Sequence, residues 1–216
     1  MTSKTALIVG ATGLVGRLLL QSLLASADYH QVIVLARRSS GITHAKLTEH
    51  VVDFGALPDL AVQIDDVFCC LGTTIKVAGS QAAFYQVDCT YPLNVATWAQ
   101  GHGATQFVMV SALGASPESS VYYNRVKGEV EQKITALNFN TTIFARPSLL
   151  IGERTEYRLG ERIALFLTPL FHILLVGSLK KYRPIKAAQV AHAMLELAQQ
   201  PRTGVHVFES DALQTI

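Results

Sequence analysis

Short unbroken runs of apolar residues recur along this chain, and helix-length amphipathic segments separate them. The runs occupy Thr5–Ala11, Gln31–Arg37, Asp66–Leu71, Gln106–Leu113 and Thr141–Arg146, with a weaker one at Glu49–Phe54. A strand with one wet face alternates polar and apolar residues. A strand buried on both faces does not, and such strands belong to parallel sheets covered by helices. Helices are expected over Leu14–Ala25, with Leu18, Leu19, Leu23 and Leu24 on the apolar side, and over Ser80–Gln100 with a kink near Pro92. Two more are expected: Val121–Leu137 behind a Ser-Ser start, and Ala187–Gln199 before a last strand at Val205–Glu209. Strand and helix in alternation predict an α/β fold built on a doubly wound parallel sheet.

Residues 1–216 suit one domain. With 50% hydrophobic and 16% charged residues the chain can bury a large core, and disorder is not expected. A net charge of +2 without blocks of like charge argues against a nucleic-acid face. The last third differs from the rest. A small helical substrate-side region is expected as an insert over 153–185, strongly apolar at Arg158–Gly177, lying on the carboxyl edge of the sheet where open α/β sheets bind ligands. Its longest apolar stretch, Ile163–Gly177, is interrupted by Thr168, Pro169 and His172 and falls short of the roughly 20 residues that a membrane span needs. The N-terminal residues lead straight into a glycine motif and do not read as a signal peptide. Cys69, Cys70 and Cys89 fit neither a disulfide framework nor zinc, and the seven histidines lack ligand spacing. No metal is expected, and a reducing, cytoplasmic setting is.

Gly10, Gly13 and Gly16 recur at every third residue between the first strand and the first helix. In that context they predict the dinucleotide turn of a Rossmann fold. Glycine permits the tight turn and the close approach of a pyrophosphate, which rests on the free amides and positive dipole end of the helix. Thr12, Leu14 and Val15 belong to the same turn, and Gly16 lets the helix pack on the first strand. The end of the second strand selects the cofactor. An Asp or Glu there accepts from a ribose 2′-hydroxyl. This chain has Arg37 and Arg38 instead, and guanidinium groups suit a 2′-phosphate, so NADP(H) is expected. Two solvated surface arginines would present the same letters. Asp53, after the third strand, is a candidate for the adenine amine, or else a turn-capping residue. Gly72, after the fourth, lets the chain pass close to the cofactor.

A tyrosine precedes a lysine by four residues twice, at Tyr123–Lys127 and Tyr182–Lys186. Pro184 breaks helical geometry in the second pair. The first opens the helix after the fifth strand, where this spacing puts both side chains on one face. A phenol is a weak proton donor near neutrality, and an adjacent ammonium stabilises the phenolate. Tyr123 is therefore the candidate proton donor to a carbonyl as hydride arrives, Lys127 its partner and a contact for the nicotinamide ribose, and Ser111 a group orienting the substrate oxygen. The plain alternative is two packing aromatics, Tyr122 and Tyr123, beside a surface lysine.

These stretches resemble the short-chain dehydrogenase/reductase superfamily in its extended or atypical branch: GATGLVG at 10–16, YNRVK at 123–127 and ARPSLLIG after the sixth strand. More narrowly, CLGTT at 70–74, QVDCTYP at 86–92, VSALGA at 110–115, VKGEVE at 126–131 and ARPSLLIGERTEYRLGE at 145–161 are similar to the branch of Tat-interacting oxidoreductase-like proteins. The resemblance spans nearly the whole chain. It implies an NADPH-binding oxidoreductase, puts Gly10, Gly13, Gly16, Arg37, Tyr123 and Lys127 in cofactor or catalytic roles, and leads Arg146, Pro147 and Ser148 into the substrate region near the nicotinamide. One departure stands out. Relatives often carry paired serines after the fifth strand, and here the pair is Ser111–Ala112. The expected function is NADPH-dependent reduction of a small apolar carbonyl compound by a monomer or homodimer. The alternative is an NADPH-binding redox sensor with little catalysis.

Overall fold

A computed structural model describes residues 3–152 and 175–216. Seven strands form one parallel sheet: β1 (Lys4–Val9), β2 (Tyr29–Ala36), β3 (Leu47–Val51), β4 (Asp66–Cys69), β5 (Gln106–Val110), β6 (Thr141–Arg146) and β9 (Gly204–Glu209). Their order is β3-β2-β1-β4-β5-β6-β9. The order reverses between β1 and β4, and a doubly wound sheet opens a ligand crevice at such a reversal.

The unbroken apolar runs are explained by two cores. Side chains of successive strand residues point to opposite faces. In β1, Ala6 and Ile8 meet α1 (Leu14–Ala25) and α6 (Ala187–Gln199) on one face, while Leu7 and Val9 meet the other layer. That second layer contains α3 (Gln81–Tyr85), α4 (Tyr91–Gly101) and α5 (Tyr122–Thr135). Helix α1 seats Leu19, Leu20 and Leu23 fully inside, and α6 seats Val190 and Met194 opposite them.

The helix expected at Ser80–Gln100 is present as three consecutive pieces. Between α3 and α4 the residues Gln86–Thr90 form a π-helical turn, and the amide of Tyr91 reaches back to the carbonyl of Gln86. Pro92 supplies the reason. It has no N–H for the carbonyl of Asp88, and its ring crowds that carbonyl. The expected kink is thus a π-turn, which swings Asp88 into the interior.

Five small elements were not legible in the hydrophobic pattern. A short helix α2 (Ile75–Ala78) is capped by Thr74, whose hydroxyl accepts from the Val77 amide. Strands β7 (Leu150–Ile151) and β8 (Ile185–Lys186) pair in parallel, joined to a 3-10 turn at Gly177–Tyr182. Helix α7 (Ser210–Leu213) follows β9. The apolar helix expected from Arg158 falls largely on residues outside the described ones, as does most of the expected 153–185 insert. Among the described residues no helix is long and apolar enough to cross a membrane.

Candidate functional site

Two clefts lie side by side along the carboxyl ends of the strands. The first, of about 360 Å³, is framed by the ends of β1, β2 and β4 and is lined by Gly10, Thr12, Gly13, Arg37, Arg38 and Gly72 together with Phe54 and Tyr91. The second, of about 530 Å³, is framed by the ends of β5, β6 and β9 and is lined by Ser111, Tyr123, Asn124, Pro147, Ser148 and the Lys181–Glu209 pair, among others.

Backbone builds the first cleft. Gly10 has φ +76°, and a Cβ there would lie 2.4 Å from the carbonyl oxygen of Cys70. A Cβ on Gly16 would lie 2.1 Å from the carbonyl oxygen of Gly10. Both positions therefore need glycine, because their neighbours are main chain and cannot swing aside. The Gly13 amide bonds back to the Gly10 carbonyl at 3.0 Å, and Gly13 caps α1 with no side chain involved. The first turn of α1 is left with amides that have no helical partner, aimed at the cleft. A tight turn of glycines ending on free helix amides fits a pyrophosphate. Val15 is buried behind the turn, and Leu14 packs against the loop after β7, where a Cβ on Gly152 would meet its Cδ1 at 2.7 Å.

Arg37 and Arg38 are exposed at the cleft wall, and neither forms an ion pair among the described residues. The nearby Glu49 carboxylate is engaged elsewhere. It accepts from the Ser39 hydroxyl at 2.6 Å and the Ser40 amide at 2.8 Å. Partial burial opposes its charge, but these bonds outweigh burial and lower its pKa. Asp53 does not line the cleft. Its carboxylate accepts from the Gly55 amide at 2.8 Å and caps an exposed turn, the second of the two roles its sequence context allowed.

Tyr123 and Lys127 share the inner face of α5, as their spacing predicts. Phe84 of α3 packs on the Tyr123 ring with centroids 5.5 Å apart. Lys127 is buried, and its Nζ lies 2.7 Å from Oδ1 of the fully buried Asp88. The other Asp88 oxygen accepts from the Thr73 amide at 2.8 Å. Burial disfavours the ammonium, yet the Asp88 carboxylate overcomes that cost and raises the Lys127 pKa above the ordinary lysine value. Gly72 covers this pair: a Cβ there would sit 3.4 Å from Asp88 Oδ1 and 3.7 Å from Lys127 Nζ. The ion pair thus underlies the floor of the first cleft, beside the second.

Ser111 lies at the end of β5, buried, and its hydroxyl donates to Oε1 of Glu131 in a short bond. Glu131 stands four residues beyond Lys127 on α5 and is gripped by Arg146, whose Nε donates to Oε1 at 3.0 Å while its terminal nitrogen reaches Oε2. Arg146 and Pro147, the cofactor-binding candidates near the nicotinamide that the resemblance implied, part here: Arg146 is engaged with this carboxylate, and Pro147 lines the second cleft rather than the first. Asp88 and Glu131 were not singled out in the sequence. The available signals were a lone acid in an otherwise uncharged stretch before Pro92, and an acid one helical turn after Lys127.

Sheet order, glycine turn and a crevice at the strand reversal define an NAD(P)-binding Rossmann protein. The comparisons agree. A family model described as NAD(P)H-binding matches residues 10–201. Protein HTATIP2 of Rattus norvegicus is 38% identical over 170 residues, 76% of this chain and 70% of that protein. The mitochondrial protein FMP52 of Candida glabrata is 34% identical over 208 residues, 93% of this chain and 87% of that protein. Among solved structures, MoeE5 in complex with UDP-glucose and NAD superposes with a TM-score of 0.71 at 15% identity, covering 94% of this chain and 75% of that one. A short chain dehydrogenase family protein from Francisella tularensis gives 0.66 at 12% identity, covering 98% and 99%. This chain belongs to the NAD(P)H-binding family, as a homologue of the HTATIP2 and FMP52 proteins.

Proposed function

We propose that the protein is an NADPH-dependent reductase of the short-chain dehydrogenase type that acts on a small, largely apolar carbonyl compound. The observation carrying this reading is the placement of Tyr123 in the cleft next to the glycine cradle, above a lysine held in its charged form by Asp88. NADPH supplies the hydride when bound. The residues of the chain do the rest. The α1 amides hold the pyrophosphate, Arg37 with Arg38 engages the 2′-phosphate, and the Tyr123 hydroxyl gives its proton to the carbonyl oxygen. Lys127 keeps a positive charge beside that phenol, which stabilises the phenolate left behind.

The test is oxidation of NADPH across a panel of aldehydes and ketones. Tyr123→Phe is expected to retain cofactor affinity and to lose about 10²- to 10⁴-fold in turnover. Undiminished turnover in that variant would refute the mechanism. The second reading, an NADPH-occupied sensor, is favoured by one feature, the commitment of Ser111 to Glu131 rather than to the open cleft. Tight NADPH binding with no oxidation of any carbonyl, and a partner released on cofactor addition, would select it. The three unpaired cysteines suit a reducing compartment, the cytoplasm in our reading, although the FMP52 relatives are named as mitochondrial.

A further inference from the structure

The direction of two hydrogen bonds restricts what the second cleft can recognise. Glu131 is a carboxylate in an ion pair with Arg146, and an ionised carboxylate only accepts. The proton in the Ser111–Glu131 bond therefore belongs to Ser111. Ser148, on the same cleft wall, spends its proton in the same way on the carbonyl of Arg183. A hydrogen bond to a charged group is stronger than one between neutral groups, so a neutral substrate carbonyl does not draw the Ser111 proton away from Glu131. What Ser111 offers to the cleft is a lone pair.

A plain ketone has nothing to give that lone pair. We infer, resting on the reductase reading above, that the substrate is a carbonyl compound bearing a hydroxyl on the adjacent carbon, with Ser111 accepting from that hydroxyl while Tyr123 donates to the carbonyl oxygen. Hydride adds to the carbonyl carbon, the Tyr123 proton goes to the oxygen, and the products are a vicinal diol and NADP⁺. Ser111 then reads the substrate instead of polarising its carbonyl. This accounts for a single serine next to Ala112: the site has one group that donates at the reacting oxygen and one that accepts beside it.

The experiment compares 2-hydroxyacetophenone with 2-methoxyacetophenone, which withdraws electrons similarly but has no proton to donate, in NADPH oxidation. The wild type is expected to favour the hydroxyl compound about tenfold or more in kcat/KM, the worth of one well-made hydrogen bond. In Ser111→Ala that ratio is expected to fall to about two or less. Circular dichroism establishes that the variant is folded. Equal use of both compounds by the wild type overturns the inference and leaves the reductase reading standing. So does an equal loss on both in Ser111→Ala, since Ser111 would then serve the reacting oxygen itself. If no carbonyl is turned over, the reductase reading fails, and calorimetry decides the inference alone. Binding of 1-phenyl-1,2-ethanediol about tenfold tighter than 1-phenylethanol, lost in Ser111→Ala, upholds it, and equal or undetectable binding of the two overturns it.

Discussion

The two clefts are built by different means. The first cleft is made chiefly of main chain, with three glycines within seven residues and the end of one helix, and adds two arginine side chains at the next strand end. The second cleft is made of side chains backed by buried charge, Ser111 by Glu131 and Glu131 by Arg146, with the Lys127–Asp88 pair lying between the two. The first needs only local geometry and close approach, and it tolerates no added atom. The second depends on partners brought together from separate elements, and it tolerates no unpaired charge. The contrast predicts how each half fails.

Removing Asp88 should do the most damage. Asp88→Ala leaves a buried ammonium without its counter-ion and is expected to cost about 3–5 kcal/mol in urea unfolding. The sign of the pH dependence follows from the raised pKa of Lys127. A cation whose folded pKa exceeds the unfolded value, about 10.4, contributes fully below that value and loses its contribution only as pH climbs through the higher folded one. The wild type should therefore hold this contribution unchanged from about pH 6 to 9. Lys127 of the variant, buried without its counter-ion, gives up its proton more readily, so the gap is widest at the acid end of that window and narrows as pH rises. A wild-type stability that loses this contribution inside that window would show that the pair is not charged there.

Next comes the main-chain half. Gly16→Ala puts a Cβ against the carbonyl of Gly10 and is expected to cost about 3 kcal/mol, with loss of nucleotide affinity measured by cofactor titration. If the variant binds NADPH normally, the cradle is more elastic than its contacts imply. Arg37→Glu should leave stability alone and raise the Kd for NADPH about 10- to 100-fold while changing NADH little. A similar loss for both nucleotides would remove Arg37 from the 2′-phosphate. The smallest effect belongs to Asp53→Ala. It removes an exposed turn cap and should stay within about 0.5 kcal/mol in stability, with nucleotide affinity unchanged. A large drop in affinity would restore Asp53 as an adenine contact.

The sensitivity of the interior thiols sharpens the same contrast. Burial pushes the Cys69 thiol up to about 12, because a thiolate would sit in the apolar core behind the cofactor cleft. Both faces of the sheet are packed, and the two clefts open at its carboxyl edge.

What the letters alone determined is what local geometry determines. Unbroken apolar runs can only lie in a sheet covered on both faces, and the helices at Leu14–Ala25 and Ala187–Gln199 were bounded to the residue because their apolar faces and flanking strands leave one solution. The glycine turn and the Tyr123–Lys127 face were legible for the same reason, since all their determinants lie within a few residues. Tertiary structure alone decided which buried acids pair with Lys127, Ser111 and Arg146. Asp88 reaches Lys127 because Pro92 forces a π-turn 35 residues or more upstream of it in the chain, and Glu131 meets Ser111 and Arg146 only once β5, α5 and β6 are stacked. It also placed the Asp53 carboxylate on the Gly55 amide, a contact the letters allowed without requiring. An ion pair is fixed by distance in space, and the spacing of letters carries no information on that distance until the sheet has brought its strand ends together.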